Sequence, residues 1–129
     1  MNDATYLLDT SFLIDFADET EGGVKGPARR LAERFGKRAY ISAVSFSEFV
    51  EGAESAEAAK LFLSQFRFQT LGMAVAERCA LNQARSGKRM GENDAWQAAL
   101  AVVSRHKLVG HDDAFKDRPW LDYIDHRRF

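Results

Sequence analysis

Short strand-like runs alternate with helical stretches along the sequence, and this alternation limits the fold more than any other feature. Tyr6, Leu7 and Leu8 form an apolar run that stops at Asp9, and Ala39, Tyr40 and Ile41 form another that stops at Ser42. Residues 66–71 (FRFQTL) alternate in polarity, Leu108 and Val109 make a fourth run, and 121–124 read as a short edge strand. Helical periodicity occupies roughly 11–17, 27–36, 45–52, 55–64, 72–86 and 93–106. Strands separated by helices pair in parallel, because a crossover helix returns the chain to the same end of the sheet. The expectation is an α/β three-layer sandwich with a central parallel sheet, built by one domain over 1–129. The stretch 18–27 (DETEGGVKGP), with its glycine pair and Gly-Pro, reads as a surface loop.

The helix expected over 93–106 carries the most information. Ala95, Ala98, Ala99 and Val102 share one face, and Trp96, Leu100 and Val103 form a second apolar stripe beside it. Only a narrow strip through Asp94, Gln97, Ala101 and Ser104 is less apolar. A helix apolar around most of its circumference is buried. Asp94 therefore opens a buried element.

Asp94 has company. Asp9 ends the first strand, Asp112 directly follows the Leu108–Val109 strand, and Glu48 lies one turn into the helix after the second strand. Ligands of open parallel sheets bind beyond the carboxyl ends of the strands, where all four acids can be delivered. Each acid also has a local reading. Asp9 can cap the helix starting near Ser11, Ser45 and Glu48 fit a capping box, Asp94 suits the helix dipole, and Asp112 and Asp113 suit a turn. Convergence would have a chemical consequence. Two carboxylates about 5 Å apart repel by roughly 3 kcal/mol at an effective dielectric near 20, so a cluster protonates or takes a cation. An all-oxygen set suits Mg2+ or Mn2+, and metal-activated water attacking a phosphodiester is the matching chemistry.

Taken in order, LLDTSFLIDF (7–16), ISAVSFSEFVEG (41–52), GKRMGENDAWQAA (87–99) and KLVGHDDAF (107–115) resemble the PIN-domain ribonucleases, in particular the VapC-type toxins of bacterial toxin–antitoxin pairs. The resemblance spans nearly the whole chain, and the ordered set carries it rather than any single motif. It implies a PIN-like fold, with Asp9, Glu48, Asp94 and Asp112 on the catalytic acidic site and Asp9, Asp94 and Asp112 holding Mg2+ or Mn2+. Ser11 falls on the small polar residue that orients that site. RNA hydrolysis, inhibition by a cognate antitoxin and a homodimer within the toxin–antitoxin complex are further implications. Two positions depart from the pattern: Gly110 stands where Thr or Ser is common, and Gln97 where an apolar residue is common. Asp112 is preferred to Asp113 as the fourth acid because it keeps the spacing to Phe115. The missing hydroxyl at Gly110 leaves room for an alternative, a PIN-fold interaction domain without catalysis. A response-regulator receiver is set aside, since 66–73 contains no acid to accept a phosphoryl group.

The remaining features are read in the same way. Cys79, the sole cysteine, lies in a helical run and reads as a buried structural thiol. His106, His111 and His126 lack metal-motif spacing, though His111 adjoins Asp112 and is the histidine placed for a role at the site. Phe12, Phe16, Phe46 and Phe49 pack in the core or line a groove for a partner helix. Arg29, Arg30, Arg34, Lys37 and Arg38 read as a solvated helix face, whereas Arg85, Lys88 and Arg89 lead into Asp94, and Arg85 and Arg89 are the substrate contacts expected. With 18 Lys and Arg against 19 Asp and Glu, the net charge of −1 speaks against a generic phosphate-backbone binder. Sorting by position weakens that objection, because four acids belong to a metal pocket and the basic clusters can frame it. No run reaches the roughly 20 apolar residues of a membrane span, and the start MNDATYLLD lacks a basic, apolar signal, so a cytoplasmic protein without membrane contact is expected.

Overall fold

The first strand explains the layers. Along β1 (Thr5–Leu8) successive side chains point to opposite faces and both faces are apolar, Tyr6 and Leu8 packing on one side and Leu7 on the other. The structure, a computed structural model, describes residues 3–129; Met1 and Asn2 of the expected 1–129 domain lie outside the described residues. From β1 the chain passes through α1 (Thr10–Glu21), α2 (Pro27–Phe35), β2 (Ala39–Ser42), α3 (Ala43–Gly52), α4 (Ala56–Leu63) and β3 (Arg67–Gln69). It returns through α5 (Met73–Arg85), α6 (Glu92–Val103), β4 (His106–Gly110) and β5 (Tyr123–Asp125). The strands lie in the order β3-β2-β1-β4-β5 and every pair is parallel. This is the expected α/β three-layer sandwich.

Two cores flank the sheet. Phe12 and Leu13 of α1, Leu31 and Phe35 of α2 and Leu63 of α4 cover the face that presents Tyr6, Leu8, Ile41 and Val109. On the opposite face Val75 and Cys79 of α5 and the alanines of α6 cover Leu7 and Leu108. The alanines let α6 lie close to the sheet, so enlarging one overpacks the layer at about 1–3 kcal/mol. Truncating Leu7, Leu8 or Leu108, all without exposed surface, costs about 2–5 kcal/mol. Among the described residues no helix is long and apolar enough to cross a membrane.

Several boundaries differ from expectation, each for a local reason. The first helix runs on to Glu21, so only the glycine-rich part of 18–27 is loop; Gly22 caps the helix and Gly23 turns the chain at φ 68°. Glu19 uses the extension to accept the backbone N–H groups of Ala28 (3.1 Å) and Arg29 (2.9 Å), capping the start of α2. A Cβ on Gly26 would come within 2.7 Å of that carboxylate and push the Glu19 side chain from its capping position. The third helix starts at Ala43, with Ser42 as its cap and Ser45 as the reciprocal member of the capping box. Glu48 therefore plays no part in a capping box. The helix expected over 93–106 begins at Glu92 and ends at Val103, and Arg105 at φ 57° turns the chain so that His106 opens β4. Gln97, expected on the less apolar strip, is 1% exposed.

Candidate active site

Strand order puts two of the four acids side by side. The first strand lies between β2 and β4, so the chain reverses its direction of travel there, and such switch points open a crevice at the carboxyl edge. Asp9 leaves β1 and its backbone N–H still donates to Val109 of β4 (2.9 Å). It occupies the cap position of α1 without a regular side-chain cap hydrogen bond, although the Thr10 and Ser11 backbone N–H groups at the helix start still help to stabilise its carboxylate. Asp9 Oδ2 accepts from the Ser11 hydroxyl at 2.9 Å. Burial pushes the Asp9 carboxyl above its ordinary value of 3.8, against the pull of the Ser11 hydrogen bond and with a contribution from the Asp112 charge.

Asp112 follows β4 and accepts from the backbone N–H of Ala114 (2.9 Å), so its turn-forming role is real and coexists with its place beside Asp9. Neighbouring Asp113 is exposed and pairs with Lys116 at 2.9 Å, outside the acidic group. Glu48 of α3 is held from two other helices: the Thr10 hydroxyl of α1 donates at 2.6 Å and the Asn93 amide of α6 at 3.3 Å. Asp94, in the first turn of α6, completes the set. Its carboxyl is pushed up to about 6, first by burial and then by the charges of Asp112, Asp9 and Glu48. All four acids thus share one electrostatic neighbourhood.

Contacts between elements distant in sequence support the acids. Ser11 Oγ also accepts the His111 backbone N–H at 3.0 Å, joining α1 to the chain beyond β4. Ser42 donates to Gln97 in the interior, tying the end of β2 to α6, while Gln97 Nε2 has no partner. Thr10 and Asn93 each adjoin an acid in sequence, and that adjacency was the available signal.

An oxygen-only donor set of mutually repelling carboxylates fits Mg2+ or Mn2+. The acids are not drawn tightly together. Among the described residues the group of three potential ligand atoms lying within 4.8 Å of one another is instead Asp15, His111 and His126. A wider oxygen frame still suits Mg2+, which keeps several of its waters. Around the site, Arg85, Lys88 and Arg89 are exposed, and among the described residues their side chains make no hydrogen bond or ion pair. Arg118 fastens this segment by donating to Ser86 Oγ and the Lys88 carbonyl, as well as to the Ala114 carbonyl beyond Asp112. The other basic group is bound within the fold: Arg29, Arg30 and Arg38 donate to backbone carbonyls, and Arg38 also stacks on Tyr6. Phe12 is fully buried, whereas Phe16, Phe46 and Phe49 are half-buried, with Phe16 and Phe49 against Phe62. Cys79 is buried, as expected.

Comparison with known proteins bears on the fold and the family. A toxin–antitoxin complex from Klebsiella pneumoniae contains a chain 24% identical to this one, covering 95% of this chain and 98% of that one with a TM-score of 0.75. The DNA-bound VapBC of Salmonella typhimurium is 19% identical over 95% and 98% of the two chains, with a TM-score of 0.78. VapC20 of Mycobacterium tuberculosis, described as a toxin cleaving the sarcin-ricin loop, is 15% identical over 83% and 88%, with a TM-score of 0.61. These likenesses establish a shared fold. No curated protein sequence matches the chain. The family model of the PIN domain matches residues 6–121, and the chain belongs to the PIN domain family.

Proposed function

We propose that this PIN domain is a metal-dependent endoribonuclease of the VapC toxin type, hydrolysing RNA phosphodiester bonds and blocked by a cognate antitoxin. The observation that carries the reading is Asp94, whose carboxyl is raised to about 6 by burial and three neighbouring carboxylates. Asp9, Asp94 and Asp112 would hold Mg2+ or Mn2+, and Glu48 would position the metal or its water. When bound, the ion supplies an activated water and offsets charge on the phosphate oxygens. Ser11 fixes the Asp9 carboxylate, and Thr10 and Asn93 fix that of Glu48. Arg85 and Arg89 meet the RNA backbone as it approaches Asp94. The half-buried aromatic face of Phe16, Phe46 and Phe49 suits an amphipathic antitoxin helix. The unit acting is 1–129 as one cytoplasmic domain, paired as a homodimer within the toxin–antitoxin complex. Support for the substrate comes from the sarcin-ricin description of VapC20, and for the partner from the toxin–antitoxin and VapBC complexes.

The test is RNA cleavage by the wild type, Asp9→Asn and Asp94→Asn, with and without EDTA. Cleavage is expected only from the metal-loaded wild type, with folded variants by circular dichroism. Equal activity in the variants or in EDTA would refute the reading. Absence of Mn2+ binding at millimolar metal would favour the non-catalytic interaction domain instead.

A further inference from the structure

Next to the acids lies a second cluster of different chemistry. Asp15 sits on α1 one turn beyond Ser11, His111 follows β4, and His126 opens the 3-10 turn after β5. Asp15 Oδ2 lies 2.7 Å from His126 Nε2 and 3.2 Å from His111 Nε2. The three ligand atoms all fall within 4.8 Å of one another, and the two rings are 5.3 Å apart. His126 is 1% exposed and held edge-on against Phe12, while Asp15 and His111 keep about a third of their surface in solvent. The cluster therefore has a fixed buried side and an open wet side.

From this geometry we propose that Asp15, His111 and His126 form a binding site for a borderline transition-metal ion of the Zn2+ class, separate from the acidic site. Two imidazole nitrogens and one carboxylate oxygen with a vacant side are the donor set of three-ligand zinc sites, whereas Mg2+ prefers oxygen alone. Ligands about 2.0–2.2 Å from a tetrahedral ion lie roughly 3.3 Å apart. The His111–Asp15 spacing already matches, and the His126–Asp15 spacing opens by about half an ångström when the ion replaces the shared proton. His126 Nδ1 is buried and has no hydrogen-bond partner. Coordination through Nε2 places the ring proton on Nδ1, and the ion's bonds to His126 and Asp15 take the place of the hydrogen bond between them. A bound ion would pin the chain end to α1 and fix His111, whose backbone N–H meets Ser11.

The experiment is titration of the full chain with Co2+ as probe, followed by calorimetry and by the visible absorption of the bound ion. It is run on the wild type, His111→Gln, Asp15→Asn and Asp94→Asn. His111 and Asp15 are about one-third exposed, so their variants are expected to fold, which circular dichroism checks. One equivalent of nitrogen-ligated Co2+ is expected in the wild type and in Asp94→Asn. Affinity should fall at least about tenfold in His111→Gln and Asp15→Asn, since even loss of an outer partner of a metal ligand costs 10–100-fold. Binding unchanged by His111→Gln, binding lost in Asp94→Asn, or no binding by the wild type would each overturn the proposal. None of these outcomes depends on RNA cleavage, so the nuclease reading stands or falls separately.

Discussion

The Ser11 hydroxyl fills the space that a side chain at position 110 would take: a Cβ on Gly110 would lie 2.8 Å from Ser11 Oγ and 3.0 Å from Asp9 Cβ. From there the hydroxyl donates to Asp9 and accepts from His111. A side chain at position 110 would therefore press on both Ser11 and Asp9 in their present positions. Gly110→Ala is expected to destabilise the fold by about 1–3 kcal/mol through overpacking. Gly110→Ser combined with Ser11→Gly should cost less than the two single changes summed, by urea denaturation in a double-mutant cycle. Strict additivity would contradict the steric coupling.

Asp94 makes the metal-free protein pH-sensitive. Its folded value of about 6 exceeds the ordinary 3.8, so the folded state binds the proton more tightly. That stability is fully present below 3.8 and lost as pH rises through about 6. Asp94→Asn, free of the repulsion, should be about 1–2 kcal/mol more stable than the wild type near pH 7.5 in EDTA, after allowance for solvent screening. Thermal melts should show that advantage shrinking toward about pH 4. An advantage independent of pH would argue against carboxylate crowding.

Thr10 and Asn93 hold Glu48 unequally. The Thr10 contact is 2.6 Å and the Asn93 contact 3.3 Å. Thr10→Val should lower Mn2+ affinity and RNA cleavage by about fivefold, the equivalent of one hydrogen bond worth about 1 kcal/mol. Asn93→Ala should have the smaller effect. Calorimetry and initial rates decide the order.

The two basic groups should behave differently toward RNA. Removing Arg85 and Arg89 should reduce the slope of log affinity against log salt by about 0.7 per charge, as for single-strand phosphate contacts. Arg30, whose guanidinium is engaged by the Lys25 and Phe129 carbonyls, should leave the slope unchanged when replaced by Ala. Equal slopes for both variants would remove Arg85 and Arg89 from the RNA path.

Much of this architecture was legible in one dimension. Burial on both faces makes Tyr6, Leu7 and Leu8 a continuous apolar run, and helical periodicity repeats within four residues, so element order and a parallel sheet follow from neighbours in sequence. The positions of Asp9 and Asp112 at strand ends are local facts of the same kind. Only the local alternative for Glu48 fails: Ser45 three residues earlier suggests a capping box, while Ser42 takes the cap role and leaves the carboxylate to Thr10 and Asn93. Tertiary structure alone set β4 beside β1, which brought Gly110 against Ser11 and Asp112 near Asp9. It likewise joined Asp15, His111 and His126, whose sequence spacing resembles no metal motif. Periodicity records which face of an element is apolar; which elements become neighbours depends on the packing of the whole sheet, and side-chain chemistry between them appears only once that order is fixed.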